Sequence, residues 1–341
     1  MTIKHFIVLT LFSFYSNKFY TQIAGESTYQ FLNISSSPRN LALGGGLLSE
    51  HNDDVSLGLT NPSLINQEMD NKISINYLNY FADISYGSLA YAYRLNNRGN
   101  TLHIGFNYIN YGDFSGYDEF GNYTNDFTGS ESSLAVGYSS SLVNLPVKVG
   151  VNFKVISSSF EQYNSIALAS DFGLFYNEPI NNLNISLVFR NIGSQIKKFY
   201  ETSESLPFEI NLGFSQKLDN APVTWYVTFQ NLEKWPIGLS NPARITTDLD
   251  GNIEDEKITI VNELLRHTII GFELFQESFF NLRFGYNFRR SEELRIIDQR
   301  NFSGISFGFG LKFNKLTFNY CHSRFSVAEN VNFVGLQIDL N

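Results

Sequence analysis

The sequence predicts an all-β fold, a transmembrane antiparallel β-barrel of about 14 strands with an N-terminal hatch or plug segment, and three observations carry that expectation. From residue 72 onward, apolar residues alternate with small or polar ones in segment after segment, and period two places alternate side chains on opposite faces of a strand. The chain holds 32 Phe and 19 Tyr but one Cys and two Met, and its mean hydropathy is only -0.14. Aromatic side chains suit pleated surfaces, whereas a helical membrane span needs roughly 18 or more consecutive apolar residues. Finally, the connectors between alternating segments divide into tight and long ones, as in barrels with short periplasmic turns and longer outward loops.

The first element in chain order is a leader. Lys4 and His5 precede the apolar run from Phe6 to Phe14, and a charge-poor stretch leads to Thr21 and Gln22. This reads as a cleaved signal peptide over 1–22 that starts the mature chain near Ile23. Cys321 stands alone, so no intramolecular disulfide is possible. The formal charge of -9 argues against nucleic acid, which asks for a clustered basic surface.

Residues 23–71 lack the alternation and form a separate element. Leu41, Ala42, Leu43, Leu47 and Leu48 mix with Gly44, Gly45 and Gly46, which predicts short helix and turns packed against the lumen or mouth of the barrel that occupies 72–341. Strands are expected near 72–80, 84–95, 101–112, 130–142, 146–159, 163–177 and 182–192. Seven more are expected near 206–218, 222–232, 264–276, 279–290, 302–314, 315–324 and 331–340. In 146–159, Val147, Val149, Val151, Phe153 and Val155 form one face, and Lys148, Gly150, Asn152 and Lys154 the other. Leu282, Phe284, Tyr286 and Phe288 oppose Arg283, Gly285, Asn287 and Arg289 in the same way. So do Ile305, Phe307, Phe309, Leu311 and Phe313 against Ser306, Gly308, Gly310 and Lys312.

The connectors after even strands, such as 142–145, 178–181, 219–221 and 276–278, are tight, whereas 113–129, 193–205, 233–263 and 291–301 are long and polar. The long ones are assigned to the cell exterior. A soluble β-sandwich would also alternate and turn often, but its polar face would carry dense charge. Here that face is rich in Gly, Ser, Asn and Thr, which suits a lumen filled by a plug.

The segments Gly25-Glu26-Ser27-Thr28-Tyr29-Gln30-Phe31-Leu32-Asn33, Ser37-Pro38-Arg39, Leu41-Ala42-Leu43-Gly44-Gly45, Asp53-Asp54-Val55-Ser56 and Asn61-Pro62 together carry a resemblance. They are similar to the family of bacterial type IX secretion outer-membrane proteins that includes PorQ and PorV, which in turn resembles the FadL-type fatty-acid channels. The likeness continues through Tyr80-Phe81-Ala82-Asp83-Ile84-Ser85-Tyr86-Gly87, Gly112-Asp113-Phe114 and Leu206-Pro207-Phe208. It implies a fourteen-stranded barrel with a hatch, an outer-membrane location, and the partners PorZ, PorU and PorV. Gly25, Glu26, Tyr29, Phe31, Arg39, Asp53, Asp54, Asn61 and Pro62 are the resulting candidates for hatch or partner contacts. Many barrels end on an aromatic residue; this chain ends Leu340-Asn341.

Chemistry is sparse. No pair among the five histidines has metal-ligand spacing on one element, and no cofactor is expected. His103 with Asp171 is weighed as a dyad, but no nucleophile or oxyanion arrangement accompanies it, so His103 reads as part of a polar lumen. Gly308 and Gly310 lie mid-strand and do not open a helix, unlike a nucleotide loop. Asp248-Leu249-Asp250-Gly251-Asn252 resembles the start of a calcium loop only faintly. Lys148, Lys154, Arg283, Arg289, Lys312, Asp171 and Glu273 are expected to line a charged lumen that holds the hatch. The function expected is non-enzymatic, a scaffold of the type IX surface attachment complex. The alternative is a FadL-like outer-membrane channel for hydrophobic small molecules, marked by a continuous apolar pocket between hatch and wall.

Overall fold

The computed structural model describes residues 27–80, 83–96, 100–142, 145–178, 180–240, 246–247, 253–254, 256, 258–294, 302–324 and 330–341. In chain order the strands are β1 (Lys72–Asn79), β2 (Ser85–Arg94), β3 (Thr101–Tyr117), β4 (Tyr123–Ser141), β5 (Val147–Phe160), β6 (Tyr163–Glu178), β7 (Leu183–Lys197), β8 (Glu209–Lys217) and β9 (Val223–Phe229). A two-residue pairing, β10 (Thr246–Thr247) with β11 (Ile253–Glu254), lies in the next connector. There follow β12 (Thr268–Leu274), β13 (Phe280–Asn287), β14 (Ile305–Phe313), β15 (Leu316–Arg324) and β16 (Asn330–Asp339).

All strands but β10 and β11 join neighbour to neighbour in one closed antiparallel barrel, and β16 returns to β1 through a ladder from Lys72↔Asp339 to Asn79↔Asn332. Closure removes the unpaired edges an open sheet would leave. Fourteen strands pair, as the alternation predicts. The faces fall as predicted too: on β5, Gly150, Asn152, Lys154 and Ile156 are buried within, while Phe153 and Val155 are exposed outside. The outer surface carries a belt of aromatic and aliphatic side chains such as Phe106, Tyr138, Phe172, Phe284 and Phe307. An apolar outside around a polar inside is the arrangement of a barrel that faces lipid. No helix among the described residues is long and apolar enough to cross a membrane.

Several boundaries differ from expectation, among them β7, which runs past 192 to Lys197 into the expected loop 193–205. Residues 113–129 are no open loop: β3 and β4 run on to Tyr117 and Tyr123, leaving 118–122 as the turn. Asp, Asn and Gly hide this ladder from a hydropathy pattern, while cross-strand aromatic pairs support it. The expected strand start at 264 is instead the helix Ile260–Arg266, capped by the Thr259 hydroxyl on the Asn262 amide at 3.3 Å. The expected strand end at 290 turns into the helix Phe288–Glu293, capped by the Asn287 side chain on the Arg290 amide at 3.0 Å. Phe288 and Arg289 therefore leave the barrel wall, and Arg289 pairs with Glu293 at 2.7 Å.

Candidate functional site

Residues 27–71 fill the lumen. They enter at the end opposite Lys72 and Asp339, where the Thr28 amide donates to the Ser205 carbonyl at 3.0 Å. There Tyr29, Phe31 and Leu32 pack with Leu78, Tyr86, Ile109, Ile156 and Phe333 of the wall in a fully buried cluster. The chain then forms the helix Pro38–Ala42. Pro38 suits its first turn, and the Ser37 hydroxyl caps the Asn40 amide at 3.2 Å. Gly44 and Gly45 end it with φ of 94° and 90°, a region that disfavours side chains. A second cluster, with Leu43, Leu47, Val55, Leu57, Leu59, Leu64 and Met69 against Ala90, Ala135, Phe175 and Tyr226, fills the other half.

The wall is cut to fit this plug. A Cβ on Gly285 would lie 2.1 Å from the Gly44 amide nitrogen, and one on Gly150 would lie 2.2 Å from the Pro62 carbonyl carbon. Small lumen residues thus mark where plug backbone touches barrel. Polar wall residues satisfy that backbone, as buried peptide groups require. Asn152 donates to the Gly58 carbonyl at 2.9 Å, and Asn76 and Ser88 to the Ser36 carbonyl at 3.1 and 2.6 Å. Gln337 holds both sides of one turn, donating to the Asp53 carbonyl at 2.9 Å and accepting from the Val55 amide at 3.0 Å.

The strongest tie is ionic. Arg39 Nη2 sits 2.6 Å from Glu50 Oε1 on the plug and 2.5 Å from Glu273 Oε2 on β12. Arg283 of β13 reaches Glu273 Oε1 at 2.8 Å and Asn319 at 2.7 Å. Tyr226 donates to Glu273 at 3.2 Å, and Gln276 donates to Glu50. Two carboxylates and two guanidiniums thus neutralise one another in a buried chain. Each would be costly there alone. Burial pushes the Glu50 carboxyl above its ordinary range against the pull of Arg39.

Of the predicted residues, Gly25 and Glu26 lie outside the described residues, as does the leader. Tyr29 takes a positive φ of 58° and shares a hydrogen bond with Ser165. Phe31 is in the outer cluster. Asp53 meets Lys72 at 2.7 Å and Lys312 at 3.5 Å. Burial opposes its ionisation, but the Lys72 hydrogen bond and charge hold its carboxyl below the usual range. Asp54 caps the turn Val55–Leu59 through the Ser56 amide at 3.0 Å. Asn61 accepts from the Ser63 amide at 3.0 Å and donates to the Leu48 carbonyl at 2.8 Å, with Pro62 next to it against Gly150.

The inward charges divide their work. Glu273 and Lys312 hold the plug directly, Arg283 braces Glu273 from the wall, and Lys148 contacts His51 at 3.3 Å. Lys154 and Asp171 bind each other at 2.7 Å instead. His103 makes no dyad with Asp171: its Nε2 lies 3.0 Å from the Val55 carbonyl, a plug contact. The faint calcium motif at 248–252 falls outside the described residues. Glu50 was missed by the sequence reading, although a single carboxylate in an apolar Gly and Leu stretch eleven residues after Arg39 was a usable signal.

A polar cavity of about 900 Å³ opens at the end that carries Lys72 and Asp339, lined by Glu50, His51, Asp53, Glu68, Lys72 and Lys312 among others. A smaller hollow of about 440 Å³ adjoins it beside His51, Lys148 and Phe175.

The site therefore belongs to a plugged, closed barrel of membrane type. No family model and no curated protein matches the chain. Among solved structures it is similar to a FadL homologue from Pseudomonas aeruginosa, with 9% identity, 90% of this chain and 98% of that one covered, and a TM-score of 0.49. It is also similar to the KdgM porin (8% identity, 79% and 99% covered, TM-score 0.31) and to LpxR from Salmonella typhimurium (9% identity, 78% and 99% covered, TM-score 0.31).

Proposed function

We propose that this chain is an integral outer-membrane barrel that works as a protein scaffold, a PorQ-like component of the type IX secretion system that holds the PorZ surface protein and the PorU–PorV pair. The observation that supports this reading most is the lumen itself. It is occupied by a plug tied through Arg39 to Glu273 of β12, which Arg283 of β13 braces, and the hollow beside it is polar. A route for hydrophobic molecules asks for a continuous apolar passage between plug and wall, whereas the apolar groups here are packed against one another. The surface left for function is then the end opposite Lys72 and Asp339, where connectors 198–208, 230–267 and 288–304 are long. That end is taken as the exterior.

The test is purification of the tagged full chain from its native outer membrane in mild detergent. PorZ, PorU and PorV are expected with it. A chain that comes away alone, and that admits long-chain fatty acid into liposomes, would replace the scaffold with the FadL-like channel.

A further inference from the structure

The longest strands of the barrel overshoot its rim. The pairing of β3 with β2 stops at Asn110, and on the other side β4 stays with β5 only to Gly129, beyond which the Glu161 amide still donates to the Thr128 carbonyl at 3.4 Å. From there to Tyr117 and Tyr123, among the described residues, β3 and β4 pair only with each other. Six to seven residues at about 3.4 Å each project this hairpin roughly 20–24 Å beyond its neighbours. A lone two-stranded hairpin is marginal in water.

Its two faces differ. Phe127 shares the face of Gly129 and of the buried Glu131 and Ser133, so it continues the lumen side of β4. Phe114 stacks on Phe127 at 5.4 Å on this face, whereas a register shift after Ser115↔Asp126 turns Tyr117 and Tyr123, in contact at 6.2 Å, to the other face near the tip. Phe120, 82% exposed, stands at the tip. Below them the aromatic surface continues through Tyr111, Phe160 and Phe199 to Tyr29 of the plug, with ring centroids 5.3, 6.4 and 6.3 Å apart. On the hairpin itself Phe114, Tyr117, Phe120 and Tyr123 are exposed, and exposed apolar patches mark interaction sites. Natural edge strands are usually blunted by Lys or Pro, yet residues 112–128 contain neither. They carry Asp113, Asp118, Glu119 and Asp126 with no basic residue at all.

We infer that this hairpin is a docking arm for an extended, positively charged segment of an extracellular protein, which adds a strand along the free edge of β4 and covers the aromatic face. Main-chain pairing would supply affinity and alternate side chains specificity. The acidic charge selects among occupants, since it repels anionic lipid headgroups and a second copy of itself while attracting a basic chain. The inference deepens the scaffold reading by giving its partner a chemistry and a place.

The experiment places the photo-crosslinker p-benzoylphenylalanine at Tyr123 of the full chain in intact native cells. A protein adduct is expected whose crosslinked peptide is rich in Lys or Arg. Its yield should fall at least fivefold in the D113N/E119Q/D126N variant, with surface level and protease protection of the plug unchanged. Crosslinker at Phe153, on the lipid face, should not give that adduct. An adduct to lipid, an adduct to a second copy, a protein adduct indifferent to the charge variant, or no adduct would each overturn the docking arm. If PorZ, PorU and PorV still co-purify in those cases, the scaffold reading stands without the arm. An adduct to a basic segment of a protein from another system keeps the arm and removes the type IX assignment.

Discussion

Arg39 shows how much one side chain can hold. Its guanidinium joins two carboxylates that are otherwise buried without a full complement, so Arg39→Ala leaves Glu50 and Glu273 facing each other in the dark of the lumen. Breaking a buried pair from one side costs about 3–5 kcal/mol. The expected outcome is a barrel that still assembles but whose segment 27–71 becomes accessible to protease in detergent. Arg39→Lys, which keeps the charge but loses the fork geometry, should lie between. Asp53 adds a pH dependence. Its carboxyl titrates lower in the folded plug than in an unfolded chain, so its contribution is present above the ordinary aspartate range, near pH 4. That contribution is lost as pH falls through the lowered value. Plug protection should therefore weaken in strong acid, and Asp53→Asn should flatten that response in a protease titration run from pH 7 to pH 3.

At the level of the strand, two neighbouring positions on β5 separate barrel from plug. Val151 faces lipid, and a basic side chain there costs about 2–4 kcal/mol near the bilayer midplane. Val151→Arg should therefore reduce assembled barrel in the membrane. Asn152 faces inward but is not idle, since it donates to the Gly58 carbonyl. Asn152→Arg should keep the barrel and expel the plug. Gly150→Val and Gly285→Val should act likewise, because the Cβ of each already collides with plug backbone. Heat stability of the assembled barrel and proteolysis of the plug, measured side by side, tell the two classes apart. This level is also where the sequence spoke most clearly. Period two in β5, β13 and β14 needs only local geometry, so faces and strand number could be read directly. The β3–β4 extension could not, because its polar residues resemble a loop and only pairing across the hairpin reveals the ladder. The partners of Arg39 were equally hidden: Glu273 and Arg283 stood out as inward charges, but nothing local says which of them meets residue 39.

For the whole molecule, sidedness is the first thing to test. Gly121 lies at the hairpin tip with open space around it and a φ of 81°, and Asn220 lies in the β8–β9 turn at the opposite end. A tag inserted at Gly121 should be labelled on intact cells and one at Asn220 should not; the opposite result reverses the orientation. The closure of β1 on β16 has a further meaning in time. Arg39 is 234 residues from Glu273, and the Val55 amide is 282 residues from Gln337. An early segment is thus fastened in part by wall strands that are made much later. Pairings of such long range form slowly. A chain that stalls before β12 lacks the ties of Arg39 to Glu273 and of the Asp53–Val55 turn to Gln337, so those two fastenings form only once the later strands of the barrel are in place.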